Sequence, residues 1–298
     1  MYFAVNPPAA VLVFAGADPT SGAGLQADLL TLTSLGCHAL TVVTALTAQD
    51  THGVQALKVV EPGWVRQQAR AVLADIAVAA FKIGMVGSAA NAVAIARIVA
   101  EYPTIPVVLD PVLASGRGDS LASEATRAAL CEHLLPRASL ITPNSIEARA
   151  LAGLADNASL ADVARRLIDL GARNVLITGT HEPDADVCNT LYAIEGVIRA
   201  DHWPRLPGSY HGSGCTLASA IAATLAQGLD LAEAVHAAQE YTWHSLERAL
   251  AIGRGQALPD RFFWLRQSHP SGSSADPVPA SEPEFVNPLA LTESVVGQ

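Results

Sequence analysis

Positive charge is scarce in this sequence. Its 298 residues carry 18 Lys and Arg against 28 Asp and Glu, a formal net charge of −10. Nucleic acid and anionic membranes both call for a basic surface, so no partner of either kind is expected. A phosphate-bearing small molecule stays open, because the backbone N–H groups of one loop bind anions whatever the net charge. Cysteine is sparse and scattered. Cys37, Cys131, Cys188 and Cys215 form no C-x-x-C pair and no zinc spacing, which suggests a reduced chain in the cytoplasm. The nine histidines show no metal-ligand spacing either. Apolar runs are short and interrupted, so no membrane span is expected. The first ten residues, MYFAVNPPAA, lack the basic start and apolar core of a signal peptide. No Walker A loop and no internal repeat occur.

Apolar residues are plentiful. They make up 50% of the chain and charged ones only 15%, enough to bury a sizeable core around one large sheet. Short apolar runs at 11–16, 39–46, 80–84, 105–110, 139–142 and 174–178 read as strands. Helical spacing fills 24–35, 63–79, 89–101, 123–134, 145–151 and 160–170 between them. A hairpin is expected over 188–194 and 197–203, turning at Glu195 and Gly196, followed by two Ala-rich helices over 216–227 and 231–252. Strands that are apolar throughout, alternating with helices, predict an α/β fold: a mostly parallel sheet with helices on both faces. The chain divides into an N-terminal extension (1–10), one large α/β domain (11–266) and a Ser, Pro, Ala and Glu-rich segment (267–298) without periodicity, read as a disordered tail.

Four segments have the composition of a site. His211, Gly212, Ser213, Gly214, Cys215 and Thr216 precede a long helix. Glycines there let the backbone turn tightly, and the helix behind presents free N–H groups and partial positive charge, which suits an anion. A thiol in that position is expected to have a lowered pKa. A plain glycine turn with Cys215 as apolar filler reads the segment equally well. The second segment, Gly16 to Gly24 with Gln26 and Asp28 beyond, follows the first strand and so sits where doubly wound sheets bind ligands. Third, Asn144 and Glu147 stand three apart at a helix start; they suit a metal-bound phosphate, but a capping box is the stronger reading of those two alone. Fourth, Asp110 ends a strand, where a carboxylate is placed for Mg²⁺ or phosphate chemistry.

Together the segments AGADPTSGAGLQADL (15–29), TALTAQDTHGV (44–54), KIGMVG (82–87), VLDPV (108–112), LITPNSIEA (140–148) and HGSGCTL (211–217) resemble the hydroxymethylpyrimidine/phosphomethylpyrimidine kinases of thiamine biosynthesis. The resemblance implies a ribokinase-like three-layer sandwich that uses ATP and Mg²⁺, and a homodimer. It implies two reactions, phosphorylation of 4-amino-5-hydroxymethyl-2-methylpyrimidine and then of its monophosphate to the diphosphate. Carried over by motif, Gln49 holds the aminopyrimidine edge, and its amide offers a donor and an acceptor side by side. Gly16, Asp28, Met85 and Val112 line the pyrimidine pocket. Cys215 takes the place of the catalytic aspartate of ribokinases, on the loop of Gly212, Ser213 and Gly214. Asp110 and Glu147 orient Mg²⁺ through water, with Asn144 near the phosphates.

One stretch departs from the family. A lysine often found in K-G-G-H is replaced, since the chain reads Thr178, Gly179, Thr180, His181. Thr178 and Gly179 are assigned to the nucleotide site, where a hydroxyl and backbone N–H groups, or another basic residue, must stand in for that lysine. A pyridoxal kinase is the nearest alternative. A pyrimidine-binding protein without turnover is a more distant one, opposed by the joint presence of Cys215, its glycine loop, Asp110 and Glu147.

Overall fold

Val11, Leu12, Val13 and Phe14 are all fully buried, so strand β1 (Ala10–Ala17) is covered on both faces. This computed structural model describes residues 7–114, 118 and 121–266. Residues 1–6 of the expected extension and the expected tail, 267–298, lie outside the described residues. The chain divides into two units, Met1–Phe263 and Trp264–Gln298; of the second only residues 264–266 are described, within a 3₁₀ turn at Phe263–Arg266.

The first unit is built on one nine-stranded sheet in the order β3-β2-β1-β4-β5-β6-β7-β8-β9. The remaining strands are β2 (His38–Gln49), β3 (Val54–Val59), β4 (Ala80–Ile83), β5 (Val107–Leu109), β6 (Leu140–Ile141), β7 (Val175–Ile177), β8 (Asp186–Ala193) and β9 (Gly196–Pro204). Strands β2 through β7 in that order run parallel, and antiparallel pairs close both edges. Strand order reverses at β1, which lies between β2 and β4. Parallel sheets bind ligands beyond the carboxyl ends of their strands at such a switch point.

Among the described residues there are eight α-helices: α1 (Gly24–Ser34), α2 (Pro62–Leu73), α3 (Ala89–Val99), α4 (Glu124–Ala129), α5 (Ser145–Ala152) and α6 (Leu160–Asp169) between strands, and α7 (Ser213–Ala226) and α8 (Leu231–Glu247) after β9. Helix α7 packs on α1, α8, β4 and β5, while α2, α3 and α4 pack in succession and α5 lies on α6. Leu12 and Phe14 of β1 join the core under α2 to α6, and Val11 and Val13 fall outside that cluster, as the two-residue period of a strand requires. Helix α7 is buried from Thr216 to Thr224. Its alanines let it lie close to the sheet, and the hydroxyl of its buried Ser219 donates to the Asp28 carboxylate on α1.

The expected strands and hairpin all form. Strand β3 was not foreseen. It is the edge strand, exposed along most of its length, and so carries no burial period. Two helices end early: α2 stops at Leu73 instead of 79, and α8 at Glu247 instead of 252. Ile76 and Val78 still pack against the core from an irregular segment, so apolar spacing outlasts the helix. The helix expected over 123–134 widens into a π-helical turn at Leu130–Leu134.

Candidate active site

Helix α7 begins at Gly212, whose φ of +83° lies in the left-handed region. A side chain there would overlap the carbonyl oxygen of Gly22, at 1.9 Å from the added carbon. Only glycine meets both demands. No side-chain hydrogen bond caps the first N–H groups of this helix. The loop after β1 is fastened to this helix start. Buried Asp18 accepts hydrogen bonds from Thr20 and from the Ala23 N–H at 2.7 Å, and its Oδ2 is 2.9 Å from His211 Nε2. Burial pushes the Asp18 carboxyl up, but His211 and the loop donors outweigh it and hold the pKa below its ordinary value.

Beneath this turn lies a buried charge cluster that sequence reading missed. Lys82 of β4 has no exposed side-chain surface, and its ammonium stands 2.8 Å from Asp28 Oδ1 and 3.8 Å from Asp110 Oδ2. Ser219 Oγ donates to the same Asp28 oxygen at 2.7 Å. The ammonium folds back over Gly84, where an added methyl would come within 2.8 Å of Nζ. Lys-x-Gly in the KIGMVG segment was the available signal. Burial opposes the charge on Lys82, but Asp28, Cys215 and Asp110 more than compensate and raise its pKa.

Cys215 faces this cluster, and here the sequence expectation fails. Its thiol is pushed up to about 12, first by burial and then by the charges of Asp110 and Asp28, against the pull of Lys82. A helix N-terminus alone favours thiolate; a helix N-terminus set over two carboxylates does not. The thiol lies beside Asp110 and pulls that carboxyl down. Asp110 is raised by burial, lowered by Lys82 and raised again by Asp28, with a net upward shift. Its Oδ1 would lie 3.9 Å from a carbon placed on Gly214, so strand end and glycine loop meet.

On the far side of Asp110 the loops after β6 and β7 adjoin. Asn144 caps α5, accepting from the N–H groups of Ile146 and Glu147, while Glu147 Oε2 accepts from the Asn144 N–H at 3.1 Å. The capping box is therefore real. Glu147 Oε1 accepts from Leu113 N–H at 3.3 Å, and its carboxyl is pushed up to about 8 by burial and by Asp110. Thr178 bridges to Asn144: its N–H donates to Pro143 O and its carbonyl accepts from Ser145 N–H. The Gly179 N–H donates to Asn189 Oδ1 at 3.1 Å.

The other expected pocket residues lie along the same edge of the sheet. A side chain at Gly16 would overlap the Met85 methyl, so these two are in contact. Val112 follows Asp110 and is partly buried, and Gln49 ends β2 partly buried beside Val54. Asp28 lies deeper than a pocket wall. It is fully buried against Lys82, and its Oδ2 has no hydrogen-bond partner. Residues 250–261, which no motif marked, stitch these loops together. Gln256 and Gly255 bond to Thr51, Ala257 O accepts from His211 N–H, and Arg261 donates to Ser21 O, Gly22 O and Thr216 Oγ1. No group of three or more His, Cys, Asp or Glu stands ready to hold a metal among the described residues.

Comparison with known proteins places this geometry in context. The family model described as phosphomethylpyrimidine kinase matches residues 18–260. The thiamine biosynthesis bifunctional protein ThiED of Geobacter sulfurreducens is 43% identical over 251 residues, covering 84% of this chain; the chain spans only about half of that protein, 51%. A Staphylococcus aureus hydroxymethylpyrimidine/phosphomethylpyrimidine kinase is 36% identical over 264 residues, covering 87% of this chain and 96% of the relative. Among solved structures, Bacillus subtilis pyridoxal kinase in complex with ADP superposes with a TM-score of 0.79 at 28% identity, covering 87% of this chain and 99% of that one.

Proposed function

The chain belongs to the phosphomethylpyrimidine kinase family, and from that premise we propose that it phosphorylates 4-amino-5-hydroxymethyl-2-methylpyrimidine and then its monophosphate, with ATP as donor. The observation that carries this reading is the uncapped start of α7 facing Asp110 across the carboxyl ends of the strands. Phosphoryl transfer asks for positioning and for donors aimed at the oxygens on which charge gathers. The N–H groups of Ser213, Gly214 and Cys215 are assigned that work. Gln49, Gly16, Met85 and Val112 hold the pyrimidine at the carboxyl ends of β1, β2, β4 and β5. Asn144, Thr178 and Gly179 hold the nucleotide.

Asp110 and Glu147 would hold Mg²⁺ brought in by the nucleotide. Burial pushes each carboxyl up, and Asp110 Oδ2, though 3.8 Å from the Lys82 ammonium, has no hydrogen-bond partner. Such an ion supplies neutralisation of the phosphate oxygens. In the chain itself Cys215 keeps its proton and shares it with Asp110. The substrate alcohol then passes its proton to Sγ as the Sγ proton moves to the carboxylate, while Lys82 stays charged behind both. The second phosphorylation attacks with a phosphate oxygen and needs no such relay.

The likeness to pyridoxal kinase keeps that activity as the second reading. A coupled ADP-release assay run in parallel with the hydroxymethylpyrimidine, its monophosphate and pyridoxal tests both. Turnover with the pyrimidine and its phosphate is expected; a clear preference for pyridoxal reverses the assignment, and no ADP release from any of the three leaves a binding protein. A homodimer and a reducing, cytoplasmic setting complete the proposal. Leu46, Leu57 and Val59 are exposed on the β2–β3 edge, and all four cysteines are free. Light scattering that gives a monomer mass would remove the dimer.

A further inference from the structure

Only two lysines occur in the whole chain, Lys58 on β3 and the buried Lys82. Neither lies on the loops of Asn144 and Thr178, so a charge that persists at all working pH values there must come from arginine. Two arginines reach the loop after β7. Arg149 is spent on Glu182, with contacts of 2.7 and 3.2 Å to both carboxylate oxygens. Arg205, just past β9, behaves differently. It donates to Thr180 O at 2.8 Å, to Glu182 O at 3.0 Å and twice to Asp184 O, at 3.1 and 3.3 Å. All its partners are neutral carbonyls. Among the described residues no carboxylate lies within ion-pair distance of it. Its four bonds leave one of the five guanidinium N–H donors free. The chain has thus fixed an exposed, unneutralised cation on the loop that begins at Thr178.

We propose that Arg205 supplies the positive charge for the polyphosphate of a bound nucleoside triphosphate, where Thr178 offers none. The assignment rests on the nucleotide reading of the Thr178 loop given above. A guanidinium suits the task, since it stays charged at all working pH values and its fork is already oriented by the carbonyls it holds. Because the loop is bound through backbone oxygens, the charge is placed without a carboxylate that a phosphate would have to displace.

Calorimetric titration of the full chain with ATP, ADP and AMP tests this, comparing wild type with Arg205→Gln, Arg205→Lys and Arg205→Gln/Thr178→Lys. Arg205→Gln is expected to weaken ATP binding roughly tenfold, the scale of one charge-assisted hydrogen bond. The loss should shrink from ATP to ADP to AMP, and pyrimidine affinity should not change. Arg205→Lys keeps a charge without the fork and should retain most of the ATP affinity. Adding Thr178→Lys to Arg205→Gln should restore it. Equal losses for all three nucleotides, or a lysine variant as weak as the glutamine one, would make Arg205 a loop clamp only and overturn the assignment. So would the absence of recovery in the double variant. Failure of the wild type to bind ATP at all would overturn the nucleotide reading itself.

Discussion

Around the start of α7 the charges are buried and tied to one another: Lys82 with Asp28 and Asp110, Asp18 with His211, Arg261 with the carbonyls of the β1 loop. Around the loops after β6 and β7 the charged side chains bind mostly backbone: the largely buried Glu147 closes a helix cap with Asn144, and the exposed Arg205 holds carbonyls. The two halves of the site answer different needs. Where a bond is made and broken, geometry has to be held tightly, and buried pairs hold it at the cost of desolvating every member. Where a large, charged ligand arrives and leaves, exposed groups on backbone-fastened loops exact less for its exchange. Substitutions should therefore damage folding on the first side and affinity on the second.

The largest effect is expected from Lys82→Met. It strands two buried carboxylates without their cation, a defect worth about 3–5 kcal/mol of a total stability of about 5–15 kcal/mol. Urea unfolding should show it. Asp28→Asn added to Lys82→Met removes one of the stranded charges and should recover part of the loss. If Lys82→Met unfolds like wild type, the buried cluster is not what holds this half together.

Cys215→Ala probes the same half through rate. With a proton already on sulfur, its help to the alcohol should lie near the low end of general-base effects, about a hundredfold. The first phosphorylation should slow by that much and the second hardly at all. Equal slowing of both would mean that Cys215 shapes the glycine loop without handling a proton.

Much of the architecture was readable because burial writes itself into sequence. Strands covered on both faces are apolar throughout, and five of the six motif segments fell at strand carboxyl ends, the sixth at the start of α7. Strand β3 was unreadable for the opposite reason, having almost no buried face. In the site, the loops around Gly212 and Asn144 announced themselves through glycine and cap residues. Lys82 did not, since its carboxylates are 54 and 28 positions away in sequence and only the fold brings them together. The Cys215 thiol was misjudged because the local signal, a helix start, is outweighed by those same distant charges. Arg205 left no pattern at all, because a side chain that bonds to carbonyls places no demand on which residues carry them.

Gln49→Leu tests the outer rim of the first half, at the end of β2. Leucine is close in size but leaves the polar edge of a bound pyrimidine unpaired, at about 1–3 kcal/mol. KM for the pyrimidine should rise and KM for ATP should not. An unchanged pyrimidine KM would take Gln49 out of the pocket.

The smallest effect on stability, and the finest division between cap and chemistry, belongs to Glu147. Its oxygens close the cap of α5, and its charge faces Asp110. Glutamine at this position still accepts from the Asn144 N–H, so Glu147→Gln should keep the helix, whereas Glu147→Ala should cost about 0.5–1 kcal/mol. If the charge serves the metal-bound nucleotide, both variants lose kcat/KM for ATP alike despite their different stabilities. If only the cap matters, the glutamine variant works like wild type. Titration gives a second reading. The Glu147 carboxyl goes from an ordinary 4.5 in the unfolded chain to about 8 in the folded one. Between those values the unfolded chain has released a proton that the folded chain keeps, so the wild type loses stability as pH rises through that window. Glu147→Gln carries no such proton. Its urea midpoint should therefore gain on the wild type between pH 5 and pH 8.5. A difference between the two that does not change with pH would return this carboxyl to ordinary behaviour and leave the cap as its whole role.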